Sequence, residues 1–348
     1  MNEATSTVTD ATIDWDAYVP REETQAIVEA AREHFASLFS PDDLRRILDG
    51  GGRPDLWGPL VDHGYTLIGL PEELDGLGTI LDLTALLEEA GRALLPAPLL
   101  THAMAAQILL TAGLLEDTTS SSRLAFARIH GEVLQVFDGE DAEIGVAVDA
   151  AGAASTIHVF ALTASDRDIV PAVDPSRPFA RLALDTVSSQ ESTGAPALDV
   201  VLAAPRTCAA ADLVGVAARA LDGAITHALG REQFGRPIAS FQAVKHQLAD
   251  AYVLLERARS LTLGSAVALG VSRDSDEASR LSRLAKAAAA DAAARSVALQ
   301  TQLLGAMGLT FESDGPLAVR RARHTIPLLG DAGQLYAAVA AEALGVTR

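Results

Sequence analysis

The chain is poor in the residues that carry several common chemistries. It has one cysteine, Cys208, in 348 residues, which excludes a disulfide framework within the chain and agrees with a reducing compartment. Basic residues are also short: 27 Lys and Arg stand against 46 Asp and Glu, a formal net charge of -19. A surface of that sign repels phosphate backbones and anionic lipid, so neither nucleic acid nor a membrane surface is an expected partner. No uninterrupted apolar run reaches the length of a membrane-spanning helix, although 49% of the residues are apolar. Residues 1–14 are expected to form a flexible tail. Met1 to Thr12 lack the basic, apolar and small-residue pattern of a secretory signal, so the expected location is cytoplasmic.

Catalytic signatures are missing too. The eight histidines are scattered, with no H-E-x-x-H spacing and no cysteine partner, and no metal site is expected. There is no G-x-S-x-G elbow for a serine nucleophile and no P-loop. Gly76-Leu77-Gly78 lacks the third glycine of a dinucleotide fingerprint and follows no clear strand-to-helix unit. No internal repeat of about 20 to 50 residues is found. A nucleotide cofactor must then be met by a few locally placed arginines and backbone N–H groups.

What is present is helical periodicity at both ends of the chain and β-prone runs between. Over residues 15–120, Ile27, Ala30, Ala31, Phe35 and Leu38 recur at helix spacing, and Ser40-Pro41-Asp42 reads as a cap before Asp43 to Leu48. A helix from Leu56 is closed by Gly64, and another spans Leu83 to Pro98. Residues 121–205 carry short runs expected to pair as a small antiparallel domain: Val133 to Phe137, Ile144 to Val148, Thr156 to Leu162, Ile169 to Val173, Ala180 to Leu184 and Leu198 to Leu202. Ala150 to Ser155 and Ser188 to Ala197 read as loops. Residues 206–348 return to helix, with stripes through Leu213, Val216, Ala220 and Ala224, then Phe241, Val244, Leu248 and Leu255, and further helices expected to pack as an antiparallel bundle. The alanines of Leu284 to Leu299 favour helix and allow close approach, which suits a helix-to-helix subunit contact.

Two stretches in this last region suit ligand chemistry. Arg231-Glu232-Gln233-Phe234-Gly235-Arg236-Pro237-Ile238 joins two long helices through a tight Gly235-Arg236-Pro237 turn, placing an arginine and an aromatic ring at a helix end, where a phosphate-bearing ligand can be gripped from a rigid support. Farther on, Gln302 to Glu312 ends a long helix where Gly305 and Gly308 leave backbone groups open. In this order the two resemble the "R.QFG" and "Q..GG.G" phrases of the FAD-dependent acyl-CoA dehydrogenase family. Upstream, Leu56 to Gly78 resembles that family's "W..L...G...I.LPEE..GLG", and Glu88-Glu89-Ala90-Gly91-Arg92 its "EE.GR".

The resemblance implies a mainly α fold with a small β domain: an N-terminal helical domain, a middle antiparallel β domain and a C-terminal four-helix bundle. It implies an FAD lying across a dimer interface, with the bundle of one subunit holding the diphosphate and adenosine end. Matched position by position, that implicates Arg231, Phe234, Ile238, Phe241, Gln302, Gly305 and Ala306, the last replacing the family's second glycine. Charge-assisted contacts from Arg231 to a diphosphate are each worth roughly 1.5 to 3 kcal/mol.

The other half of the family's site has no counterpart. No "TEP.AGSD"-like run for the flavin ring occurs between Arg123 and Ala204. The family's carboxylate base, needed to take the α-proton of a thioester, falls at Leu329 by one count and at Pro205 by the other. Asp331 and Asp212 stand near these places, and by spacing each suits a turn or a helix cap; Asp331 is the candidate base. The expectation is therefore one subunit of a heteromeric acyl-CoA dehydrogenase, in an α2β2 assembly with a second acyl-CoA dehydrogenase-like chain. Its substrate would be an acyl-CoA thioester and its oxidant an electron-transfer acceptor. "DPSRPFARLALD" and "FGRPIASFQAVKHQLAD" resemble the actinobacterial branch acting on bulky steroid-like side chains. The alternatives are a homomeric dehydrogenase with an atypical base and a flavin-free acyl-CoA-binding scaffold.

Overall fold

A computed structural model describes residues 21–116, 122–162, 167–310 and 313–346. The expected tail, 1–14, lies outside them. The N-terminal layer holds α1 (Glu22–Leu38), α2 (Pro41–Leu48), α3 (Trp57–Asp62), α4 (Ile80–Ala93) and α5 (Leu99–Thr111). Its helix starts are written locally: Ser40 and Asp43 form a capping box on α2, and Thr79 and Asp82 form one on α4. Gly64, at φ 70°, follows α3 as expected. The helix expected over Leu83 to Pro98 instead begins at Ile80 and stops at Ala93, because Leu94 turns left-handed at φ 58° and Pro96 and Pro98 follow.

The middle layer is a seven-stranded sheet of β1 (Leu124–His130), β2 (Val133–Phe137), β3 (Ile144–Ala151), β4 (Ala154–Ala161), β5 (Asp168–Val170), β6 (Phe179–Ala183) and β7 (Ser188–Ala195), in the order β5-β6-β2-β1-β3-β4-β7. It is not wholly antiparallel. After the β1–β2 hairpin the chain crosses to the other side of β1, so β3 runs parallel to β1, with Leu124 opposite Ile144. Two further expectations are corrected. Ser188 to Ala195 is a strand rather than a loop: its polar, exposed residues are held by pairing with β4 along Ser188 to Ala161, not by an apolar face of their own. Leu198 to Leu202 is the helical turn α6 (Leu198–Val201) leading into the bundle, since a short apolar run carries no period that separates strand from helix.

The C-terminal layer is built on α7 (Ala203–Gly230), α8 (Gln242–Val271) and α9 (Asp276–Leu304), with α10 (Gly315–Thr325) and α11 (Ala332–Ala343) against α9. The span Leu198–Gly230 is long and apolar enough to cross a bilayer, but 89% of its apolar window is buried within this chain, as in a core helix. The alanines of α9 are likewise internal. Ala285, Ala287 to Ala290, Ala292 and Ala293 are buried against the chain's own helices, so the expected subunit contact there is not available. Gly91 of α4 and Gly215 of α7 let those helices cross with backbones touching; a Cβ on either overlaps a carbonyl of the other helix.

The three layers meet at a buried polar network. Arg177, from the β5–β6 connection, donates to both oxygens of Asp212 on α7 at 2.6 and 3.1 Å, and to Thr325 of α10 at 3.2 Å. Beside it Arg321 of α10 donates to Asp174 at 2.6 Å, to Ser176 at 2.9 Å, and to the carbonyls of Leu94 and Leu95 at 3.0 and 3.2 Å. Burial would raise the Asp174 carboxyl, but the Arg321 guanidinium and the Ser176 hydroxyl outweigh it and hold it down at about 2. Its folded value lies below the ordinary one, so it adds stability above about pH 4 that drains away as the pH falls towards 2. Removing one partner strands a buried charge: Arg177→Met is expected to cost roughly 3 to 5 kcal/mol in a denaturant titration.

Candidate cofactor-binding site

The first motif is a hairpin capping two long helices. Arg231 leaves α7 in extended geometry, its N–H bonded to the His227 carbonyl at 2.9 Å. Glu232–Gln233 and Arg236–Pro237 then pair as two-residue strands β8 and β9. The turn is centred on Phe234 and Gly235, one residue earlier than expected, with φ of 55° and 75°. Two successive left-handed residues match the twist of a two-residue hairpin loop. Glycine does this freely, whereas Phe234 is strained by it. Its ring is nevertheless 92% exposed. The ring therefore contributes nothing to the core of this chain and is open to a ligand or a partner.

Around that ring the other implicated side chains assemble. Phe241 meets Phe234 edge-on at 6.1 Å and carries the Arg236 guanidinium 4.1 Å above its face. The Ile238 N–H donates to the Arg231 carbonyl at 2.8 Å, closing the hairpin base. Arg231 itself is exposed and makes no ion pair among the described residues.

The second motif ends α9. Gly305 turns the chain at φ 64°, ψ −132°, its N–H bonded to the Thr301 carbonyl. Gln302, Gly305 and Ala306 are exposed, and a Cβ on Gly305 would meet nothing within 4 Å. Phe311 and Glu312, at the end of the stretch, lie outside the described residues. The two motifs lie at one end of the bundle. Arg206 and Arg283 both reach Asp199, at 2.8 and 3.1 Å, and Gly223 abuts Gln300. As many residues separate Arg206 from Gly223 as Arg283 from Gln300. The helices α7 and α9 therefore run parallel and in step, with α8 returning between their ends, and both finish on the same side. An unpaired guanidinium, a free amide, an aromatic ring and an open glycine form a donor set that fits a diphosphate and a flat ring system.

The expected base positions are at the other end and are closed. Pro205 is buried in the first turn of α7, and Leu329 packs with Leu328, Val201, Ala203 and Ala204 in the central apolar cluster. Asp331 caps α11, accepting the Gln334 N–H at 2.9 Å. Asp212 is fully buried and bonded to Arg177 and Thr325, which removes it as a base. Between sheet and bundle the space is filled by side chains: the His324 ring stacks on Phe179 at 4.9 Å and Phe179 meets Phe137 at 4.8 Å, edge to face. Burial and the nearby Arg177 push the imidazole down to about 4.

Sequence reasoning missed Lys286. This fully buried lysine on α9 donates to the Ile326 carbonyl at 2.8 Å, beneath the turn that carries Leu329. A lone lysine amid the alanines of α9 was the available signal.

The three layers leave an exposed, donor-rich bundle end of a kind that can hold a diphosphate-bearing cofactor. A family model described as "Acyl-CoA dehydrogenase, C-terminal domain" matches residues 193–344. The chain is 31% identical to the acyl-CoA dehydrogenase IpdE2 of Mycobacterium tuberculosis, covering 89% of this chain and 94% of the relative. It belongs to the acyl-CoA dehydrogenase family of FAD-dependent oxidoreductases. Among solved structures it is similar to a variant of the Tcur3481-Tcur3483 steroid ACAD, with a TM-score of 0.78 at 24% identity over 93% of this chain and 99% of that one. It is also similar to the ChsE4-ChsE5 complex of Mycobacterium tuberculosis, with a TM-score of 0.77 at 20% identity over 95% and 99%.

Burial, with help from Arg206, pulls Lys286 down to about 7, while Asp331 opposes the shift. Its folded value is below the unfolded one, near 10.4. The charged form is therefore penalised in the fold at pH 7 and below, and the penalty fades as both states lose the proton. The melting temperature of Lys286→Met relative to the parent is expected to be highest near pH 6 and to fall as the pH rises to 10, measured by thermal melts across that range.

Proposed function

We propose that this chain is one subunit of a heteromeric acyl-CoA dehydrogenase, supplying the diphosphate and adenosine end of an FAD that it shares with a second acyl-CoA dehydrogenase-like subunit in an α2β2 assembly. The observation that carries the reading is an asymmetry. One end of the bundle offers an unpaired Arg231 and a bare Phe234 to something outside the chain, while the places for a base hold buried Pro205 and Leu329.

When bound, FAD supplies hydride acceptance from the β-carbon of a CoA thioester. This chain's part is positioning. Arg231 offsets diphosphate charge, Gln302 donates from its amide, Phe234 covers a flat face and excludes water, and Gly305 and Ala306 let a ligand approach the backbone. The α-proton is assigned to a carboxylate of the second subunit, since Asp331 is committed to a helix cap and Asp212 to Arg177.

Both similar structures, Tcur3481-Tcur3483 and ChsE4-ChsE5, pair two differently named chains, which supports a two-chain assembly, and the first is a steroid ACAD, which supports a bulky, steroid-like acyl group. An electron-transfer acceptor completes the cycle. Cys208, the sole cysteine, is buried and pushed up to about 12, which removes it from redox work and suits a cytoplasmic protein.

Co-expression with a second acyl-CoA dehydrogenase-like chain from the same source and measurement of flavin per complex test this directly. One FAD per pair of unlike chains is expected, with Arg231→Ala weakening FAD retention about 10- to 100-fold. Stoichiometric yellow flavin in the isolated chain, or an Arg231→Ala complex that keeps its flavin, overturns it.

A further inference from the structure

Remote from the bundle end just described, α1, α4 and α8 enclose a groove of about 370 Å³ that belongs to none of the features above. Its walls are held apart by polar bridges. Thr24 of α1 donates to Asp82 of α4 at 2.6 Å, and Arg32 of α1 donates to Glu89 of α4 at 3.1 and 2.8 Å. On the other side Arg259 of α8 donates to Glu88 of α4 at 3.0 and 2.9 Å. The helix α4 is thus tied to both neighbours, and the groove between them is preformed rather than opened by a ligand.

Its interior is aliphatic. Val28, Leu81, Ala85 and Leu263 line it. Thr84 and Thr262 also face it, and each donates its hydroxyl to the carbonyl four residues earlier on its own helix, at 2.7 and 2.8 Å, so neither asks for a polar partner. Among the described residues no aromatic ring lines the groove, so a flat aromatic ligand finds none of them to stack on. The rim carries charge of both signs in equal number, with Arg21, Arg32 and Arg259 against Glu29, Glu88 and Glu89. A ligand bearing net charge meets as much repulsion as attraction there. The size lies within the range of small-molecule sites, about 300 to 1,000 Å³. At about 30 Å³ for each water-sized group it holds roughly a dozen such groups.

From these observations the geometry points to a second, non-catalytic ligand site for an uncharged molecule with an aliphatic or alicyclic body and at most a hydroxyl or carbonyl head. The rim ion pairs stay intact on binding, and the apolar body replaces water over the Leu81 and Leu263 side chains. Nothing in this site depends on the flavin assignment, and its test reads neither flavin nor turnover.

Calorimetric titration of the full-length protein, as purified, with 1-octanol and separately with octanoate decides the matter. Saturable binding of one octanol per chain is expected, with octanoate at least fivefold weaker. Ala85→Phe, at a half-buried wall position, is expected to weaken octanol at least tenfold, and Val28→Phe on the facing helix to do the same if the first variant folds poorly by circular dichroism. Absence of saturable octanol binding, octanoate binding as tightly as octanol, or unchanged affinity in the folded filling variants overturns the proposal.

Discussion

The pairing of Arg177 with Asp212, and of Arg321 with Asp174 beside it, is the interaction on which the arrangement of the three layers depends. A buried ion pair gains little net stability over a well-packed apolar pair, because desolvation offsets its attraction. What it adds here is a defined geometry. Arg177 comes from a connection within the sheet, Asp212 from the buried first half of α7, Thr325 from a later helix, and Arg321 reaches back to the carbonyls of Leu94 and Leu95 in the N-terminal layer. Each partner has little else to bond, so sliding any layer by a residue would leave charges unpaired.

That network also decides what the chain can do. It fills the junction between sheet and bundle together with the stacked Phe137, Phe179 and His324. The turn carrying Leu329 and the helix start carrying Pro205 are then free to join the apolar core instead of presenting an acid to a substrate. The exposed motif residues lie at the opposite end of α7 and α9, where the chain follows its helices with Phe234 and Gly305 at positive φ.

Much of this was legible in the chain itself. Local rules set the cap at Ser40 and the stop at Gly64, and the periodic stripes of α7 and α8 announced long helices, whereas the capping box at Thr79 was not read. The motif residues Arg231, Phe234, Gln302 and Gly305 were readable because each phrase is short and contiguous, and so was the lack of a carboxylate at Leu329 and Pro205. Val133–Phe137 was read to the residue, whereas Leu124–His130 was not read as a strand and the bounds of the other apolar-faced strands shifted by one to three residues. The polar strand Ser188–Ala195 was not read either, since it exists only by pairing with β4. Nor was the parallel β1–β3 pair, which depends on a crossover between strands distant in sequence. The alanines of α9 read equally well as surface or core, and only packing against α7 placed them inside.

The sequence by itself determined the helical periodicity of the two end layers, which residues stand at the two motifs, and which acids are missing, because these follow from bonds and spacings between near neighbours. Only the tertiary structure decided that the two motifs share one end of the bundle, that Asp212 is spent on Arg177, and that Lys286 lies buried beneath the Leu329 turn. Those facts come from contacts between residues far apart along the chain, made when apolar surfaces are buried and the charges between them must find partners.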